Sequence, residues 1–187
     1  MDDKEFFRMV FAELQEQTDR GVAIIGGSYV ENALEAYMRS VWRNESEGSD
    51  EVKILPEIFN FSGPVGAFSA KIRIAFISRL IGRKAYKDLN TVKDIRNDFA
   101  HKIVWDSMSA SHEPLRFSTA SVGARCKNLE LWPPLLAGLQ AGSHIHGFQV
   151  DTDDPRSRYI AACTQWSLLL NLCLNTSNEL WKKRLLA

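Results

Sequence analysis

The chain has 187 residues, 45% hydrophobic and 25% charged, with 23 Lys and Arg against 23 Asp and Glu. This is ordinary globular composition, long enough to bury a core without disulfides or metal, and it excludes a disordered chain. A formal net charge of zero also argues against a strongly basic nucleic-acid binder, although a local patch can sit within a neutral total.

Residues 3–18 read as a helix, with Phe6, Phe7, Val10, Phe11 and Leu14 at three- and four-residue steps. A second helix follows over about 20–43, carrying Val22, Ile25, Tyr29, Ala33, Ala36, Tyr37, Val41 and Trp42. Gly26-Gly27 lies inside it. Two interior glycines cost roughly 2 kcal/mol against alanine, which predicts a close helix–helix crossing rather than a ligand cradle. Asn44 to Asp50 is a polar loop, and Val52 to Phe59 a short helix interrupted at Pro56. Phe61-Ser62-Gly63-Pro64-Val65-Gly66 is a turn. It has neither P-loop nor GxGxxG spacing, so it reads as a close-packed lead into the next helix.

That helix, at about 67–81, is apolar on most of its surface and is expected to be central, with Gly82 just past its end. Lys84 to His101 forms the next helix, with Tyr86, Leu89, Val92, Ile95 and Phe99 as its buried stripe. Lys102 to Leu115 reads as a loop, and Phe117 to Leu129 as a helix capped by Ser118. Leu131 to Asp154 is irregular, a hairpin or an extended arm. Asp154-Pro155 then opens the last helix, an Asp cap with Pro in the first turn, running to about Arg184. With no β-alternation, the expectation is an all-α bundle of six to seven helices in one domain, residues 1–187, with a core at 3–130, an arm at 131–154 and a C-terminal helix at 155–184.

Cys126, Cys163 and Cys173 have no metal-ligand spacing. Cys163 and Cys173 would lie roughly 15 Å apart along one helix, too far to bridge. They read as buried thiols of a cytoplasmic protein. The start of the chain does not resemble a signal peptide, and the longest apolar run, Tyr159 to Leu174, is too short and too polar to span a bilayer. His144-x-His146 lacks the remaining ligands of a metal site, so no metal and no cofactor is expected. Charge is polarised along the chain. Residues 71–102 hold nine Lys/Arg against three Asp, and residues 1–50 hold eleven Asp/Glu against five Lys/Arg. Complementary faces within the fold or across a dimer explain this most simply, with a nucleic-acid patch as the weaker alternative.

The sharpest local feature is Arg96-Asn97-Asp98-Phe99-Ala100-His101. On a regular helix Asp94, Asn97, Asp98 and His101 share a polar face, while Arg96 points roughly 140° from His101. Arg96 can hold a phosphate, His101 can take a proton from a ribose hydroxyl, and Asn97 can orient either group. Together they would cleave RNA without metal. The simpler reading is a capped helix end, with His101 at the dipole and Arg96 paired with an acid such as Asp88 or Glu31. Lys71, Asp94 and Asp98 are candidate binding residues.

Gly63-Pro64-Val65-Gly66, the following Phe68-Ser69-Ala70-Lys71, and Arg96-x4-His101 together resemble the mannitol operon repressor family over most of the chain. That resemblance implies an all-helical bacterial regulator, non-enzymatic, homodimeric, and working through a protein partner or a small effector rather than a helix-turn-helix. The Arg-Asn-x-x-x-His pattern also looks like the motif of the HEPN superfamily, whose members include metal-independent ribonucleases. Carried over, that second resemblance implies roles for Arg96, Asn97 and His101 in a cleft at a dimer interface.

Overall fold

The computed structural model describes residues 3–45, 49–102, 114–131, 151–175 and 185, and among these every regular element is a helix. In chain order they are α1 (Asp3–Gln15), α2 (Asp19–Glu45), α3 (Ser49–Phe59), α4 (Phe68–Ile77), α5 (Arg83–His101), α6 (Ala120–Lys127) and α7 (Pro155–Asn175). The expected all-α bundle of six to seven helices is therefore the fold. Most of the arm expected at 131–154, and the end of the last helix after Asn175, lie outside the described residues.

α7 is the centre of the molecule. Every residue from Tyr159 to Leu170 is buried, so this helix is enclosed on all sides rather than along one stripe. Several of its polar side chains are satisfied locally or by neighbours, while Ser167 Oγ and Arg158 Nε are buried without a partner among the described residues. Thr164 donates to the Ile160 carbonyl at 2.8 Å and Gln165 to the Glu130 carbonyl at 3.1 Å. The central place had been expected for the helix at 67–81. That helix is shorter, ending at Ile77, and Ile77 is 75% exposed.

α2 packs against α7 on one side and α5 on another, and Gly26-Gly27 is what allows both. A Cβ on Gly26 would lie 3.2 Å from Cys163 Sγ in α7, and one on Gly27 would lie 2.9 Å from Arg96 Cδ in α5. The pair does not break α2. It serves two crossings at once. Tyr159 ties the same three helices from α7, its hydroxyl donating to the Ala23 carbonyl of α2 at 3.1 Å.

Several boundaries differ from expectation: α1 ends at Gln15, α2 runs to Glu45 and α3 starts at Ser49, which shortens the loop expected at Asn44–Asp50. α3 runs through Pro56 without interruption; the missing N–H removes one helix bond and the rest of the turn holds. Gly82 does not follow the end of α4. It is the residue before the first turn of α5, and α4 is closed by Arg79, at φ 58°. The Leu80 N–H reaches the Ala75 carbonyl at 2.9 Å and the Arg79 N–H reaches Phe76 at 3.0 Å, the two bonds of a Schellman motif with Arg where glycine is usual. α6 starts at Ala120 after Thr119, and Thr119 rather than Ser118 stands at its cap, its hydroxyl accepting from the Arg116 N–H at 3.2 Å. The start of α7 is as expected, with the Asp154 carboxylate accepting from the Ser157 N–H at 2.8 Å.

The Gly-Pro turn before α4 folds on its own backbone. The Gly63 N–H donates to the Asn60 carbonyl at 2.7 Å and the Val65 N–H to Ile58 at 3.0 Å. A Cβ on Gly63 would overlap the Glu57 and Ile58 carbonyl oxygens, and one on Gly66 those of Asn60 and Phe61. The glycines are needed for this contact, and no side chain of the turn is arranged to hold a phosphate. All three cysteines are buried. Among the described residues, no helix is long and apolar enough to cross a membrane.

Candidate functional site

α5 carries almost every candidate residue, and its two polar edges face different neighbours. Ala85, Leu89, Val92, Ile95 and Phe99 are buried, which fixes the rotation of the helix. Arg96 then emerges beside α2. Its stem lies across Gly27, and its guanidinium meets Glu31 Oε2 at 3.0 Å, leaving the side chain 29% exposed. Of the two acids expected as partners for Arg96, Glu31 is the one used.

Glu31 is shared. Its other oxygen takes Lys71 Nζ of α4 at 2.8 Å, and Lys71 also reaches Glu35 at 2.9 Å. Glu35 in turn pairs with Arg39 at 2.8 Å, and the Arg39 guanidinium lies 4.4 Å from the centre of the Phe59 ring. The result is a chain of five charges, Arg39–Glu35–Lys71–Glu31–Arg96, linking α2, α4 and α5, with Lys71 only 4% exposed. Burial alone would push the Glu35 carboxyl up, but the hydrogen bonds from Lys71 and Arg39 hold it below its ordinary range. Lys71, a candidate binding residue, is thus enclosed at the centre of an ionic network.

On the opposite edge of α5, Asp94, Asn97 and His101 are exposed, while Asp98 is half-buried. Asp98 is clamped by Arg125 of α6 and by Lys102 at 3.3 Å. Burial pushes its carboxyl up, and the bond and charge of Arg125 outweigh this, so it stays below the usual carboxylate range. Asp94 pairs with the neighbouring Lys93 at 3.0 Å. The end of α5 is held from α2, where Arg20 donates to the Ala100 carbonyl at 3.2 Å. The structure therefore joins Arg96 to Lys71 through Glu31, and sets Asn97 and His101 on the other side of the helix.

A second feature lies at Asp88, whose partners are other than the Arg96 expected for it. Asp88 is 5% exposed, one turn inside the start of α5. Its Oδ2 accepts the Glu130 N–H at 3.0 Å and the indole N–H of Trp166, from α7, at 3.1 Å. Burial pushes its carboxyl up to about 6, against the opposing pull of those two donors. Asp88 lies in the wall of an open groove of about 760 Å³, formed by α5 and the segment after α6, whose lining is largely polar and includes Asp94. Acidic residues on a helix are commonplace, and the partner that marks this one lies 78 positions away.

The thiols of Cys126 and Cys163 are poor nucleophiles. Burial pushes Cys126 up to about 12 and Cys163 higher still. Among the described residues, no group of three or more His, Cys, Asp or Glu is placed to hold a metal ion. No protein-family model, no curated protein and no solved structure matches the chain, so the resemblances of Gly63–Lys71 and Arg96–His101 rest on those residues themselves.

Proposed function

We propose that the protein is a non-enzymatic helical regulator, of the kind its resemblance to the mannitol operon repressor family implies. In this reading it is cytoplasmic and homodimeric, and acts through a protein partner or a small effector. One observation carries the choice. The Arg96 guanidinium, which a ribonuclease would need for phosphate, is already paired with Glu31 at 3.0 Å. Freeing it means breaking a charge chain that also holds Lys71. The zero net charge is consistent with a partner rather than a long nucleic-acid surface.

A HEPN-like, metal-independent ribonuclease using Arg96, Asn97 and His101 is the second reading. It is favoured by the exposure of Asn97 and His101 together at the end of α5, where a second chain has access to both.

The deciding experiment mixes the purified protein with labelled, structureless RNA in EDTA, beside His101→Ala and Arg96→Ala. The regulator reading expects no cleavage by any of the three. Cleavage by the parent that both variants lose would replace it with the ribonuclease. Tight, sequence-specific DNA binding by the protein alone in a gel shift would contradict the partner-mediated mechanism.

A further inference from the structure

The groove beside Asp88 has an unbalanced lining. Most of its polar groups are already satisfied within the protein. Lys84 pairs with Glu130 at 3.1 Å, and Asp94 with Lys93 at 3.0 Å. Asn90 donates to the Tyr86 carbonyl at 2.7 Å and Thr91 to the Lys87 carbonyl at 3.1 Å. Two charges remain. Asp88 uses Oδ2 for both of its bonds, so Oδ1 takes no bond from the described residues although the side chain is almost wholly buried. Lys87, the next residue and also in the lining, is exposed and pairs with no carboxylate among the described residues.

At the wall of the groove, Oδ1 is available to accept from a donor that enters in place of water. The groove is wide enough to admit one, at about 760 Å³. A neutral polyol can hydrogen-bond to both groups but brings no charge to pair with either. A simple amine would answer Asp88 and be repelled by Lys87; a simple acid would do the reverse. A molecule carrying an ammonium and a carboxylate a few bonds apart answers both.

We propose that this groove is a binding site for a small zwitterion of the amino-acid class, its ammonium on Asp88 Oδ1 and its carboxylate on Lys87. The site is separate from Arg96 and His101, and it does not depend on the regulator reading. Within that reading it is the natural place for an effector, because Asp88 ties α5 both to Trp166 of the central helix and to the segment after α6.

The test titrates the full chain with the twenty common amino acids by calorimetry. Matched probes accompany any that binds: its decarboxylated amine, its deaminated acid, and sorbitol. The indole N–H resonance of Trp166, assigned through Trp166→Phe, reports occupancy through its hydrogen bond to Asp88 Oδ2. At least one amino acid is expected to bind and to shift that resonance, with both matched probes at least tenfold weaker. Asp88→Asn keeps a carbonyl oxygen for the two existing donors and turns an N–H₂ toward the groove, so it should weaken binding at least tenfold. Lys87→Ala, at an exposed position that does not threaten the fold, should weaken it similarly, and Lys53→Ala on α3 should not change it. Three results would each overturn the proposal: no amino acid binding, binding that leaves the Trp166 resonance and the Lys87→Ala affinity unchanged, or sorbitol binding as tightly as the amino acid.

Discussion

Asp88 sets an unusual pH dependence for a single carboxylate. Its pKa rises from 3.8 to about 6 on folding, so the fold favours the protonated form. The stabilisation that this gives is fully present below about pH 4 and is lost as the pH rises through 6. The whole effect is about 3 kcal/mol. Glu130 and Arg158 face the group from the segment after α6 and from α7, and they act in opposite directions. Asp98 and Glu35 have lowered values. Their contribution is present at neutral pH and is lost in acid. Urea unfolding of the parent and of Asp88→Asn at pH 4 and pH 8 separates the two kinds of group. The variant should gain on the parent by about 2 kcal/mol at the higher pH; an unchanging difference would contradict the buried-acid account. Residue-scale features were legible where partners follow from charge, as with Arg96 and Glu31. Asp88 was hidden because its burial depends on Trp166, and no local pattern encodes that meeting.

At the scale of elements, apolar patterning and cap residues located the seven helices of the described residues, since a stripe such as that of α5 marks the face that tertiary packing covers. Boundaries were read less well, because local rules name a residue type and not its place. Glycine after an apolar run suggests a helix end, yet Gly82 precedes α5 and Arg79 carries the left-handed turn. A side chain there is disfavoured by roughly 1–2 kcal/mol, partly offset by the greater freedom of unfolded glycine. Arg79→Gly is therefore expected to stabilise the protein by about 1 kcal/mol, raising its thermal midpoint. A drop in the midpoint would mean that the arginine side chain holds a contact worth more than the strain. α2 teaches the complementary lesson. Gly26-Gly27 weakens the isolated helix, yet it is the reason that α5 and α7 can both approach it.

Across the whole molecule, the acidic first third and the basic middle meet inside one fold. Glu31 and Glu35 come from the former, Lys71 and Arg96 from the latter. A charge imbalance along the chain thus became a link between α2, α4 and α5, and the opposite signs made that much legible. Which lysine was to be buried was not, because Lys71 resembles every other cation on an amphipathic helix. Removing it leaves two carboxylates partly buried side by side. Lys71→Ala is expected to destabilise by about 3 kcal/mol in chemical denaturation, whereas Lys53→Ala, on an exposed pair, should change stability by less than about 0.5 kcal/mol. Equal effects would mean that the buried network adds nothing beyond a surface pair.

The three enclosed cysteines give this fold a built-in clock. Maleimide cannot reach Cys126 or Cys163 in the closed molecule, so each modification counts one opening. Cys126 sits on the short α6 and Cys163 on the enclosed α7. Their labelling rates, compared site by site, distinguish a peripheral helix lifting away from the whole bundle coming apart.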